Sequence, residues 1–309
     1  MASEMAVAGE EEIDYEGLGN NVPIHINMIA GALAGISEHA LMFPVDVIRT
    51  RMQILSASPA ATYTGVTQAL TRISSVEGAR TLWRGVASVI MGAGPAHAVY
   101  FGTYEAVKDM TGGNERGHQF ASTAFAGASA TIASDAFMNP FDVIKQRMQM
   151  HGSHHRGVFG CASTVYRQEG LRAFYVSYPT TLAMTVPFTA VQFSTYEWAK
   201  KVLNPSESYS PITHAIAGGF AGAVAAAITT PLDVAKTLLQ TRGSSTDASI
   251  RSCSGMFEAF RIIYQKEGSK GFSRGMTARI ATHIPANALC WLSYEGFRFF
   301  LNKRDKGLM

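Results

Sequence analysis

Charge is what this sequence lacks most. Only 16% of its 309 residues are Asp, Glu, Lys or Arg, against roughly a quarter in a typical soluble domain. A formal net charge of +3 is too small to mark a nucleic-acid binder. Cysteine is scarce too. Cys161, Cys253 and Cys290 stand apart with no Cys-x-x-Cys pair, which excludes a disulfide framework or a zinc ribbon and suits a reducing compartment. The N-terminus has neither a basic stretch nor a continuous apolar run, and is acidic from Glu10 to Glu16. It fits neither a secretory signal nor an Arg-rich transit peptide; residues 1–22 read as a flexible acidic segment.

What the chain does have is one unit written three times. Pro44-Val-Asp46-Val-Ile-Arg49-Thr-Arg51-Met-Gln53 returns as Pro140-Phe-Asp142-Val-Ile-Lys145-Gln-Arg147-Met-Gln149, and again as Pro231-Leu-Asp233-Val-Ala-Lys236-Thr-Leu-Leu-Gln240. Each copy carries Glu-Gly (Glu77-Gly78, Glu169-Gly170, Glu267-Gly268), then Trp83-Arg84-Gly85, Tyr175-Val176-Ser177 or Ser273-Arg274-Gly275. Each closes on a tyrosine-acid-x-x-base run: Tyr104-Glu105…Lys108, Tyr196-Glu197…Lys200 and Tyr294-Glu295…Arg298, with Pro95, Pro187 and Pro285 nine residues before the tyrosines. A fixed period of this kind sets the architecture before any residue-level reading. The units fall at 23–112, 113–204 and 205–309.

Two long helices per unit are expected, at 24–53, 119–149 and 211–241 and at 80–109, 172–202 and 274–302, with short amphipathic helices near 66–76, 157–168 and 254–266. Each long segment holds the ~20 mostly apolar residues that span a bilayer. Small and polar residues interrupt them, so hydropathy windows score them weakly. A soluble helical array is the alternative, and Ala221–Thr230, in an uncharged stretch between His214 and Asp233, speaks against it. The fold class is therefore an all-α membrane protein: six transmembrane helices in three pseudo-threefold repeats, each with a short additional helix.

Helical spacing puts His39, Met42, Asp46, Arg49 and Gln53 on one face. The matching faces carry Asp135, Met138, Asp142, Lys145 and Gln149, and Thr229, Asp233, Lys236 and Gln240. An ionisable group deep in a membrane costs ~2.5–3.5 kcal/mol on insertion scales. Six at equivalent positions therefore face one another or water, and can close as a ring of acid–base pairs. Glu105/Lys108, Glu197/Lys200 and Glu295/Arg298 could form a second ring at the opposite end. Two gates around a polar middle are what alternating access needs. Pro44, Pro140, Pro231, Pro95, Pro187 and Pro285 each remove a helix hydrogen bond and mark kink points. Surface salt bridges at helix ends are the competing reading of the six pairs.

The Pro-x-Asp-x-x-base…Gln runs, the Glu-Gly elements and the Tyr-Glu-x-x-base runs resemble the mitochondrial carrier family over essentially the whole chain after the first ~20 residues. The resemblance implies a monomer in the inner mitochondrial membrane with both termini in the intermembrane space, no resident cofactor, and cardiolipin at the matrix surface near the Trp-Arg-Gly-type turns. It implies a matrix ring pairing Asp46 with Lys145, Asp142 with Lys236 and Asp233 with Arg49, braced by Gln53, Gln149 and Gln240. The family's substrate contact points fall on Gly92, Met184-Thr185 and Thr282-His283. None is Arg or Lys, which argues against an anionic cargo; Arg279, one turn deeper, could still contribute.

The donors left in the middle are His39, Met42, His97, Asp135, Met138, Met184 and His283, with Thr185, Asn287 and His214 as further candidates. Imidazole, thioether and carboxylate suit a borderline metal such as Fe2+. Glu38-His39-Ala-Leu-Met42-Phe-Pro44, Gly94-Pro95-Ala96-His97-Ala98 and Ala133-Ser134-Asp135-Ala136-Phe137-Met138-Asn139-Pro140 resemble the mitoferrin subfamily of mitochondrial iron importers. Met184-Thr185-Val186-Pro187 departs from it at Thr185, where Asn is common. The expected function is import of ferrous iron, or of Mn2+ or Cu+, into the matrix. A carrier of an organic cation or zwitterion such as S-adenosylmethionine is the alternative, with a nucleotide carrier behind it. The paired Glu-x-x-His motif of a membrane di-metal enzyme is missing, so the chain reads as a transporter and not an enzyme.

Overall fold

The computed structural model describes residues 24–55, 63, 65–111, 119–153, 157–203, 211–282 and 285–286. It is helical, and no strand occurs among these residues. The long helices are α1 (Ile24–Gln53), α3 (Val86–Met110), α4 (Gln119–Gln149), α7 (Tyr178–Leu203) and α8 (Pro211–Thr241), and residues 276–282 open the last one. Between them lie α2 (Val66–Val76), α5 (Val158–Glu169), the single turns α6 (Arg172–Tyr175) and α9 (Ala248–Arg251), and α10 (Met256–Glu267). The shortest long helix, α3, has 25 residues. At ~1.5 Å per residue it exceeds the ~30 Å hydrocarbon core.

Among the described residues one stretch, Ile216–Ser244, is long and apolar enough to cross a membrane on composition alone. The long helices present large apolar side chains outward: Leu41, Ile90, Phe101, Phe125, Ile132, Val186, Phe193, Phe220 and Ile228 are exposed, a surface that suits lipid better than water. α3 packs along α4, and α7 along α8. At the second contact Ala217 and Ala221 lie buried beneath Tyr196 and Ala199; small residues let the backbones close in.

The C-terminal half of each of α1, α4 and α8 packs on the short helix of its own repeat, giving three equivalent cores. Phe43, Val47 and Ile48 meet Ala69 and Ile73. Val143, Ile144 and Met148 meet Cys161 and Val165. Val234, Leu238 and Leu239 meet Ala259 and Ile263. The contact residues of the short helices recur at three and four positions, the spacing of one helical face. Gly78, Gly170 and Gly268 follow at φ +87°, +75° and +64°, a conformation that favours glycine, and this accounts for the Glu-Gly element in each unit.

The second long helix of each of the first two repeats begins later than its sequence pattern suggests. α3 starts at Val86, not residue 80, and α7 at Tyr178, not residue 172. In the first unit the tight 3-10 turn Ala79–Trp83 intervenes, and Gly85 at φ +98° resets the direction of the chain. In the second unit Ser177 occupies that corner and donates to Asn139 Oδ1 at 3.3 Å. Pro44, Pro95, Pro140, Pro187 and Pro231 all lie inside continuous helices.

Candidate functional site

α1, α4 and α8 bring their charged faces together at one level. Lys145 Nζ lies 2.9 Å from Asp46, Lys236 Nζ 3.2 Å from Asp142, and Arg49 Nη2 2.5 Å from Asp233. Each pair joins two different repeats, so the three close a ring. Asp46, Arg49, Thr50, Asp142, Lys145, Gln146, Asp233 and Lys236 line a polar cavity of about 130 Å3, room for a few waters or a hydrated ion. The members differ in burial. The Asp233 side chain is 4% exposed, against 24% for Asp46 and 27% for Asp142.

The glutamines do not brace the ring alike, which corrects the symmetric expectation. Gln53 donates to Asp233 Oδ2 at 2.6 Å and accepts from Thr237 Oγ1 at 3.0 Å. Gln149 accepts from Thr50 at 2.7 Å, while its buried Nε2 has no partner. Both amide atoms of buried Gln240 lack partners. The difference follows from what stands opposite: a carboxylate and a hydroxyl for Gln53, one hydroxyl for Gln149.

Below the ring lies a second network that sequence reasoning missed. Arg51 forks onto Glu77 and donates through Nε to Gln149 O at 2.8 Å. Arg147 forks onto Glu169 at 2.6 and 2.9 Å and donates to Gln240 O at 2.6 Å. In the third unit Leu238 stands where those arginines stand. There Arg274 pairs with Glu267 and donates to Met52 O at 2.9 Å. Each guanidinium thus satisfies the carbonyl end of a helix in another repeat, where lone acceptors otherwise remain. Burial disfavours the Glu77 carboxylate, but Arg51 beside it, with His151 at 2.7 Å, holds Glu77 below the usual carboxylate range.

At the opposite end, no ion pair links Glu105, Lys108, Glu197 or Lys200 to a neighbouring helix among the described residues. Lys200 pairs with Glu197 of its own helix at 3.1 Å. Lys108 and Lys200 lie over the rings of Tyr104 and Tyr196 one turn away, at 5.9 and 5.8 Å. Among the described residues each lysine is thus held within its own helix. Glu295 and Arg298 lie outside the described residues.

The middle donors divide. His97 is exposed, and its Nδ1 sits 2.9 Å from Ala93 O. A carbonyl can only accept, so Nδ1 carries the proton, and Nε2 of the neutral ring keeps a free lone pair. Asp135 lies beside Thr185 and within electrostatic reach of Lys236, and its buried Oδ2 has no partner. Thr185 donates to Thr181 O at 3.0 Å. Met42 is buried. Met138 is partly buried and packs against the first core. Gly92 is a close-approach point of α3 on α4: a Cβ there would meet Met138 Sδ at 2.8 Å and Phe141 Cγ at 2.8 Å. The side chains of His39 and His214, and all of His283 and Asn287, lie outside the described residues. Among the described residues no three His, Cys, Asp or Glu side chains cluster as a metal site. Met184 Sδ lies 3.8 Å from Nη2 of Arg279, a buried cation that no counterpart in the other repeats announces.

The family model for mitochondrial carrier proteins matches residues 20–115, 116–207 and 207–305. Mitoferrin-1 of Homo sapiens is 47% identical over 298 residues, covering 94% of this chain and 88% of its own. Mitoferrin-2 of Homo sapiens is 44% identical over 297 residues, covering 95% and 82%. A Saccharomyces cerevisiae relative named mitochondrial RNA-splicing protein MRS4 is 48% identical over 305 residues, covering 97% and 99%. Three matched repeats, a carrier fold and full-length relatives converge: the chain belongs to the mitochondrial carrier family of membrane transporters.

Proposed function

We propose that this carrier imports ferrous iron across the inner mitochondrial membrane into the matrix, with both termini in the intermembrane space. The observation that carries the reading is the uncommitted buried oxygen of Asp135. A buried carboxylate oxygen without a partner inside a membrane helix is costly, and a cation passing the site would complete it. His97 supplies an imidazole lone pair on α3 and Met184 a thioether on α7, a loose donor set that can hold and release a borderline metal. The names of the two human relatives point the same way. The ring of Asp46–Lys145, Asp142–Lys236 and Asp233–Arg49 acts as the matrix gate, shut here, while the opposite end admits cargo to the middle.

The test is uptake of Fe2+, kept reduced, into liposomes bearing the purified protein and an internal chelating dye. His97→Ala and Asp135→Asn are each expected to cut uptake at least ~10-fold, the effect of losing part of a metal's ligand field. A carboxylate also suits an organic cation. S-adenosylmethionine is therefore added as competitor; saturable S-adenosylmethionine uptake, with Fe2+ uptake indifferent to both variants, refutes the iron reading.

A further inference from the structure

Arg279 is a deeply buried cation with no cationic counterpart in the other two repeats. It lies fifteen residues before the tyrosine of the third Tyr-Glu run; Val89 and Thr181 hold the equivalent places in the first two repeats. Its side chain is 3% exposed. Nη2 donates to Thr229 Oγ1 at 2.9 Å, and that hydroxyl donates onward to Ala225 O at 2.8 Å. The guanidinium carbon sits 5.8 Å from the Phe188 ring centre. Nη1 points at Asp233 Oδ2 from 3.4 Å, yet Nε and Nη1 make no hydrogen bond.

The reason lies on Asp233. Its Oδ2 already accepts from Arg49 Nη2 at 2.5 Å, Gln53 Nε2 at 2.6 Å and Arg49 Nε at 3.2 Å. A carboxylate oxygen has about two lone-pair sites, so it is fully subscribed, and Arg279 holds an ion-pair distance of 3.4 Å without a hydrogen bond. Of the three ring acids, Asp233 is also the most buried. Losing Arg49, the one cation hydrogen-bonded to it, with no other cation beside it would leave a poorly paired carboxylate in a low dielectric, the costliest way to break a buried pair.

We infer that Arg279 is a stand-in cation for the matrix gate: when Arg49 leaves Asp233 as the gate opens, Arg279 moves in by a few tenths of an ångström and keeps that carboxylate paired. This rests on the gating reading under Proposed function. It makes Arg279 a positioning residue acting through Asp233, and it gives the cargo a reason to leave. An opened gate presents Asp46, Asp142 and Asp233 to a departing divalent cation, and a neutralised Asp233 holds that cation less tightly. The contact with Met184 Sδ ties the same guanidinium to the middle of the well.

A thermal-stability cycle on full-length protein in detergent tests the exchange without any cargo. Arg49→Gln and Arg279→Gln are each expected to lower the melting temperature modestly, because one cation remains on Asp233. The double variant should fall by at least twice the sum. In an Asp233→Asn background the two losses should simply add. Arg279→Lys, which retains charge, should leave the Arg49→Gln variant near its single-variant value, and it serves where Arg279→Gln fails to fold. Additive losses with Asp233 present overturn the inference. In Fe2+ uptake, Arg279→Gln is expected to lower the maximal rate several-fold with KM changed less than twofold, and Arg279→Lys to restore most of it. A raised KM at unchanged maximal rate makes Arg279 a cargo contact and overturns the exchange. Failure of the wild type to move Fe2+ leaves the stability cycle intact, so the two readings fail separately.

Discussion

Replacing Gln53 and Gln240 should change stability in opposite directions, although the two occupy identical repeat positions and are equally buried at 1% exposure. Gln53→Ala removes a hydrogen bond to a carboxylate, worth ~1.5–3 kcal/mol, and one from the Thr237 hydroxyl, worth ~1 kcal/mol. The expected cost is about 2–4 kcal/mol, falling on the Arg49–Asp233 side of the ring, where the carboxylate oxygen keeps only its arginine contacts. Gln240 has no bond to lose through either amide atom. An orphaned buried polar group costs ~1–3 kcal/mol, so the near-isosteric Gln240→Leu should be neutral or stabilising. The assay is thermal denaturation of the two purified variants in one detergent, beside wild type. Equal destabilisation by both would show that the three glutamines brace the ring symmetrically, and would refute the asymmetry derived from their partners.

Three further outcomes are expected. Glu77→Gln leaves the buried Arg51 guanidinium without its fork and should destabilise by ~3–5 kcal/mol. Because the native Glu77 carboxyl titrates below its unfolded value, its contribution is present above the ordinary carboxylate range and lost as pH falls through the native value; wild type should lose this increment in acid melts and Glu77→Gln should not. Burial pushes the Cys161 thiol up to about 11, so alkylation at neutral pH should spare Cys161 until the protein is unfolded, as read by mass spectrometry of labelled peptides. Gly92→Val should cost ~1–3 kcal/mol by overpacking against Met138 and Phe141, with Met138→Ala recovering part of it in a melt; a change in cargo preference at unchanged stability would instead return Gly92 to the substrate path.

What sequence reading reached was whatever the three repeats share. Asp46, Asp142 and Asp233 carry their meaning in their common register, and a ring is the natural way for threefold-related charges to meet. The limits of α1, α4 and α8 were legible for the same reason. Features that break the symmetry were not. Arg279, with Val89 and Thr181 as counterparts, is visible in the sequence only as a possible cargo contact, and its place beside Asp233 is not. The idle amide of Gln240 depends on what stands opposite in space. Met138 comes from a helical face and Gly92 from the register of the family's contact points, and neither tells a cavity wall from a tight helix contact. One missed feature did leave a trace: Leu238 interrupts the Arg51 and Arg147 series, and a lost arginine invites a search for its replacement, which Arg274 supplies.

The clasps beneath the ring bear on how the molecule is assembled. Arg51 of the first repeat needs the Gln149 carbonyl of the second, Arg147 of the second needs the Gln240 carbonyl of the third, and Arg274 of the third needs the Met52 carbonyl of the first. No single repeat finishes its own floor. A nascent chain halted after two repeats would hold one completed clasp and two waiting halves, so the layer forms only once the last segment has been threaded home, and a ribosome-stalled or proteolysed fragment should be recognised as unfinished.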